Sequence, residues 1–288
     1  MLGGDERELI LTQALVERGF RVSAVGFPDL PQLAGVERTA SVIQAVREAD
    51  VVVAPMSNTD DDGVIRAHLD PDAHLVLNEE VFAAMGPGKT LFIGMARPVI
   101  ERLAAKYRVS VVQLAELDEI AILNSIPTAE GAIQRAMTEL PITIHGSRSL
   151  VIGFGRCGIT LARMLHGIGA RVRVAARDRG QLARAREMGL ETSPLRALQA
   201  VLPEADIVFN TVPARVLGRA ELEKLRPDAL IVDIASAPGG TDFAAARELG
   251  IKAFLDLGIP GKVAPRTAGE ILAATVPDLI VAAYERGA

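Results

Sequence analysis

One cysteine, two tyrosines, four histidines and no tryptophan are all that 288 residues hold of these types. A single thiol excludes an intrachain disulfide framework and fits a reducing compartment, with the cytoplasm as the default. Four scattered histidines and that one cysteine argue against a dedicated transition-metal site. No apolar run approaches the roughly 18 residues that a membrane helix needs. Met1 to Glu6 offer neither the basic nor the apolar part of an export signal. The expectation is a soluble protein, neither exported nor membrane-bound. A net charge of -5, with 3% aromatic residues and no basic block, argues against a nucleic-acid surface.

What the chain does have is apolar material, 49% of its residues, enough for two domains with separate cores. The pattern alternates. Residues 6–17 read as a helix, 21–25 as a strand, 41–48 as a helix and 50–54 as a buried parallel strand. Strands at 90–93 and 109–113 enclose a helix at 98–106. After residue 145 the alternation resumes, with strands at 171–175, 206–209, 229–234 and 251–255 and helices at 194–201 and 242–249. The fold class is therefore α/β, with two doubly wound parallel-sheet domains, the C-terminal one a Rossmann domain. The expected limits are 1–122 for a flavodoxin-like substrate domain, 123–145 for a connecting helical segment and 146–265 for the dinucleotide domain. Residues 266–288 should form a last helix that returns to the first domain. Gly3-Gly4-Asp5 looks like the turn after a first strand, yet almost nothing precedes it. Either the start codon is placed late or the sheet has a clipped edge.

The most informative stretch is Leu150-Val151-Ile152-Gly153-Phe154-Gly155-Arg156-Cys157-Gly158, an apolar strand that breaks into Gly-x-Gly-x-x-Gly and continues as a helix. Gly153 permits the turn, Gly155 lets backbone approach a pyrophosphate, and Gly158 packs helix on strand. A second strand at the right distance makes this a βαβ unit and so a dinucleotide site. NAD sites place a carboxylate about 20 residues after the glycines. Here the strand tip is Arg177-Asp178-Arg179, and arginine suits the 2′-phosphate of NADP. Asp178 keeps NAD open.

Ligands in open α/β sheets lie outside the carboxyl ends of the strands. Thr211, Val212 and Pro213 follow one such strand, and Ala235 and Ser236 follow the next, so all five are expected beside the cofactor. Asp233, at the strand end before Ala235, either touches ligand or caps a loop. Lys262 and Arg266 follow the last strand. Pro55-Met56-Ser57-Asn58-Thr59 leads into an acidic run, 60–62, that reads as a solvated loop. Cys157 sits at a helix start, but no base accompanies it, so nucleophilic catalysis is not expected. Pro127 reads as the first turn of a helix that carries apolar Ala129, Ala132, Ile133 and Ala136. That placement puts Ser125 and Thr128 at a helix start, where anions are favoured.

Five segments together carry a resemblance: Gly3-Gly4-Asp5; Asn124 through Ala132; the glycine loop; Ser236-Ala237-Pro238-Gly239-Gly240-Thr241-Asp242; and Pro260 through Gly269. With them the chain resembles the family of dipicolinate synthase A subunits, dehydrogenase-like proteins of spore-forming bacteria. The resemblance implies oxidation of 4-hydroxy-tetrahydrodipicolinate, a branch from lysine biosynthesis, to dipicolinate with NADP. It also implies a partner, a flavoprotein-like B subunit. A dicarboxylate substrate needs cations and oriented donors, for which Lys262, Ser125, Thr128 and Arg97 are candidates. Proton transfer falls to Glu79, Glu130 or Lys262, without an assignment among them. A related two-domain amino or hydroxy acid dehydrogenase and a non-catalytic dinucleotide-binding regulatory subunit stay open, as does a homo-oligomer.

Overall fold

The computed structural model describes residues 1–57 and 59–287, and the side chains through residue 285. Asn58, named above with its loop, lies outside the described residues. The chain divides into two compact units, Met1–Leu123 with Ala264–Ala288, and Asn124–Val263.

In the first unit the order is α1 (Glu6–Glu17), β1 (Ser23–Ala24), β2 (Glu37–Arg38), α2 (Val42–Glu48) and β3 (Val51–Val53). Then come β4 (Val64–Ile65), β5 (Leu75–Val76), α3 (Glu79–Met85), β6 (Thr90–Ile93), α4 (Pro98–Tyr107) and β7 (Ser110–Gln113). β3, β6 and β7 pair in parallel. Met1 and Leu2, before the Gly3-Gly4-Asp5 turn, form a short stub inside the sheet and not at its edge. Leu2 N donates to Val53 O at 2.9 Å and Val25 N to Met1 O at 3.0 Å, so the stub bridges β1 and β3. β4 and β5 form an antiparallel hairpin too short to show a periodic pattern.

α5 (Asp118–Glu139) carries the chain into the second unit. There a six-stranded sheet runs β10-β9-β8-β11-β12-β13, all parallel, from β8 (Arg148–Ile152), β9 (Arg171–Ala176), β10 (Glu191–Pro194), β11 (Ile207–Asn210), β12 (Leu230–Asp233) and β13 (Lys252–Leu255). Between the strands lie α6 (Arg156–Gly167), α7 (Arg179–Glu187), α8 (Leu198–Val201), α9 (Arg219–Leu222) and α10 (Phe243–Glu248), followed by α11 (Ile259–Val263). Alternate residues of each strand feed opposite faces. Val151, Val174, Phe209 and Val232 pack on one side with Leu161 and Leu165; Leu150, Val208 and Ile231 pack on the other with Leu198 and Leu222. The helix expected at 194–201 is reduced to Leu198–Val201, since Pro194 closes the edge strand paired with β9 and Leu195–Ala197 form a 3-10 turn.

α12 (Pro265–Gly287) belongs to the first unit. It is long and apolar enough to span a membrane by composition, but Leu272, Val276 and Ile280 are buried with Leu11 and Leu15 of α1. Gly269 makes that packing close, since a Cβ there would stand 2.8 Å from Ile10 Cδ1.

Candidate active site

The three glycines of the loop after β8 do three different jobs. Gly153 has φ +91 and a Cβ there would stand 2.3 Å from Thr211 Oγ1, so both the turn and its neighbour exclude a side chain. Gly158 packs so tightly that a Cβ would stand 2.3 Å from the Gly153 carbonyl oxygen. Gly155 meets nothing within 4 Å. That open face lies at the N-cap of α6, which no side chain caps, so first-turn N–H groups are left for an anion. These residues fit a dinucleotide pyrophosphate.

Phe154 is buried in the core and holds the loop from beneath. Burial pushes the half-buried Cys157 thiol up, against the pull of Arg156, which disfavours the thiolate form. Thr211 Oγ1 donates to Ile152 O at 2.9 Å, tying the loop after β11 to the end of β8. Asn210, fully buried, holds Val212 through both of its backbone groups at 3.0 and 3.1 Å. Pro213 is exposed beside them.

Asp233 is a loop cap. One carboxylate oxygen accepts from Ala235 N at 3.1 Å; the other accepts from Gly240 N at 2.8 Å and Thr241 Oγ1 at 2.7 Å. Its charge is wholly buried and spent on these donors, which fix Ala235 as a buried wall and leave Ser236 exposed. At the tip of β9, Asp178 caps α7 by accepting from Gln181 N at 2.8 Å. Its carboxylate therefore has local work, while Arg177 and Arg179 are exposed.

The expected helix start at Ser125 and Thr128 is corrected, because α5 begins at Asp118 and Pro127 lies inside it. Ser125 is fully buried, its Oγ 2.6 Å from Thr160 Oγ1 on α6. Thr128 Oγ1 donates to the Asn124 carbonyl at 2.7 Å. Neither hydroxyl stands at a helix N-terminus. Gly131, one turn on, lets α11 seat against α5, since a Cβ would stand 2.2 Å from Ile259 Cγ2. Lys262 is exposed on that short helix, and Glu130 is exposed on α5. Arg135 braces the same helix, pairing with Asp256 at 2.9 and 3.0 Å and lying 4.8 Å over the Phe254 ring.

In the first unit, Arg97 Nε donates to Thr59 O at 3.3 Å, and Asp61 lies 3.7 Å from the same nitrogen. Glu79 is exposed and bonded to Lys106 and to Tyr107. The Lys106 hydrogen bond holds its carboxyl below the usual range, which suits an ion and not a proton donor. Buried Arg7 and Glu8, with the half-buried Asp5, form a charged group at the start of α1 that the sequence pattern alone does not single out as functional. A signal for them exists: Asp5 and Glu8 have the spacing of a capping box.

A family model for the N-terminal domain of the dipicolinate synthase A subunit matches residues 1–115. One described as "D-isomer specific 2-hydroxyacid dehydrogenase, NAD binding domain" matches residues 121–240. The dipicolinate synthase A subunit of Bacillus subtilis (strain 168) is 38% identical over 97% of this chain and 94% of its own length. The chain belongs to the family of dipicolinate synthase A subunits. A crystal structure of the Bacillus halodurans member superposes with a TM-score of 0.93 at 36% identity, covering 97% of this chain and 96% of that one. The Bacillus subtilis crystal structure superposes at 0.91 and 37% identity, covering 99% and 96%. D-lactate dehydrogenase from Escherichia coli, at 16% identity and a TM-score of 0.65, covers 100% of this chain and 98% of its own, and shares the fold alone. In this family's terms the second unit is a nicotinamide-dinucleotide domain of dehydrogenase type.

Proposed function

We propose that this chain oxidises 4-hydroxy-tetrahydrodipicolinate to dipicolinate with NADP as the acceptor, in the cytoplasm of a sporulating cell, beside a flavoprotein-like B subunit. The observation that carries the reading is the joining, in one chain, of the family's own N-terminal domain to a glycine loop whose middle glycine faces open space. Residues 1–122 with 266–288 serve the substrate in this reading, and 146–265 serve the dinucleotide.

Loss of water from the substrate gives a dihydropyridine dicarboxylate, and loss of a hydride and a proton then makes the ring aromatic. A bound dinucleotide supplies the hydride acceptor. The first-turn N–H groups of α6 hold the pyrophosphate, and Arg177 and Arg179 hold a 2′-phosphate that Asp178, turned onto Gln181 N, does not repel. Thr211, Val212, Pro213, Ala235 and Ser236 wall the ribose and nicotinamide, and the buried Asp233 keeps that wall in one shape. In the first unit Arg97 is a candidate cation for a carboxylate; in the second Lys262 is another, and Lys262 or Glu130 moves the proton.

The test is turnover. The purified chain, given freshly generated substrate with NADP or NAD, with and without the B subunit, should form dipicolinate and reduced dinucleotide in equal amounts. No product under any of these conditions overturns the reading. Turnover of a simple 2-hydroxy acid in its place would favour the alternative that the match over residues 121–240 supports.

A further inference from the structure

The loop that leaves the first strand holds the most completely buried cation of the first unit that is not yet assigned a task. Gly3 and Gly4, at φ +60 and +139, turn the chain so that Asp5 begins α1. Asp5 Oδ1 accepts from Arg7 N at 3.0 Å, and Glu8 Oε2 accepts from Asp5 N at 2.8 Å. The other Glu8 oxygen, Oε1, accepts from Met56 N at 2.9 Å, on the loop that leaves β3. Glu8 therefore ties together two loops at the carboxyl ends of neighbouring strands, where open α/β sheets take their ligands.

Arg7 folds back onto Asp5. Its Nε donates to Asp5 Oδ1 at 2.9 Å and its Nη2 to Oδ2 at 2.7 Å, a two-point pair. Arg7 is only 7% exposed and Glu8 1%. Gly269 of α12 lies against the Arg7 backbone, where a Cβ would stand 3.1 Å from Arg7 Cα, so the turn that carries the guanidinium cannot drift. Asp5 uses two of the three guanidinium nitrogens, and Nη1 has no hydrogen-bond partner among the described residues.

The unused Nη1 is not shut off from solvent, so it is the edge of a largely buried, already fixed fork that a ligand can reach. A fold that needed only a surface ion pair would leave both side chains in water, where the desolvation cost is small. Fixing the fork in advance also means that a ligand carboxylate does not have to immobilise it. Arg97 is 40% exposed along its side chain, and Lys262 is exposed, so neither is held in this way.

We infer that Arg7 is the carboxylate receptor of the substrate site in the first unit, with Asp5 and Glu8 as the positioning residues that aim its free edge. The inference rests on the dicarboxylate reading above. It adds the residue that recognises one of the two carboxylates.

The probe is pyridine-2,6-dicarboxylate, titrated calorimetrically into the full-length chain with saturating dinucleotide. Arg7→Met should weaken its binding by about tenfold to a hundredfold, the loss expected for a charge-assisted hydrogen bond. Arg7→Lys should recover only part of this, and dinucleotide affinity should not change in either variant. Because removing Arg7 orphans Asp5, circular dichroism must accompany both variants. A measurement on the unmutated chain guards against misfolding: with 15N-labelled arginine, the Arg7 Nε–H resonance, assigned from Arg7→Lys, should move as the dicarboxylate saturates. Unchanged affinity in folded Arg7→Met, a resonance that stays fixed, or no binding by the unmutated chain overturns the inference. Dicarboxylate bound through Arg7 without any turnover would sink the proposed reaction and leave the receptor standing. Normal turnover with an unchanged KM in Arg7→Met would do the reverse.

Discussion

Ser125 Oγ and Thr160 Oγ1 lie 2.6 Å apart, both buried, and join α5 to the first turn of the glycine-loop helix. The pair braces the dinucleotide loop from behind. Ser125→Ala removes this short bond and leaves Thr160 Oγ1, among the described residues, only its 3.4 Å bond to the Arg156 carbonyl, and should lower stability by about 1 kcal/mol. Urea denaturation checks the loss. Dinucleotide affinity should fall along with stability, while KM for a carboxylate substrate at saturating dinucleotide stays close to that of the parent.

Gly155 and Gly158 should respond to alanine in opposite ways. A methyl on Gly155 meets no protein atom within 4 Å, so Gly155→Ala should melt like the parent yet bind dinucleotide at least about tenfold more weakly, by filling the pyrophosphate's space. Gly158→Ala presses on the Gly153 carbonyl and should lose about 1–3 kcal/mol of stability as well as binding. Thermal melts beside calorimetric titrations separate the two, and equal melting losses would refute the assignment.

The proposed preference for NADP is tested at Arg177. With Asp178 committed to Gln181 N, Arg177→Ala should weaken NADP by about tenfold and leave NAD nearly unchanged. Titration with both dinucleotides decides it. A parent protein with equal affinity for the two would remove the basis of the prediction.

Glu8 makes stability depend on pH. Burial pushes its carboxyl up from the ordinary 4.5 to about 7, against the pull of Arg7, with the Asp5 charge adding to the rise and the Asp5 and Met56 N–H groups opposing it. The folded chain thus keeps a proton that the unfolded chain releases, so this contribution is full below the unfolded value and is lost as pH climbs through about 7. The loss is on the order of 3 kcal/mol. Denaturant titrations between about pH 5 and pH 8 should show stability falling for the parent. Glu8→Gln, neutral at every pH in this range, should slope less.

Several of these features are legible in the residues. The Gly153, Gly155 and Gly158 spacing is legible because a left-handed turn at 153 and close packing at 158 exclude side chains, while 155 leaves open space. The parallel strands show as apolar runs, since both of their faces are buried. Pro127 misleads, because proline favours a first helical turn, whereas here it sits mid-helix and Thr128 turns its hydroxyl onto the Asn124 carbonyl. That shift moves Ser125 from an anion site to a brace. The Asp5, Arg7 and Glu8 group reads as an ordinary turn, since burial of a charge is decided by distant segments such as Met56 and Gly269.

The Asp233 carboxylate gathers Ala235, Gly240 and Thr241 onto one point at the end of β12. A segment closed on itself this way has little configurational freedom left to surrender when a ligand arrives. Its amides at 235 and 240 should resist exchange with heavy water even in the empty protein. In the proposed cofactor reading, selectivity here would come from the shape of a rigid surface, and a bulkier cofactor analogue would meet steric refusal where a pliant loop would have yielded.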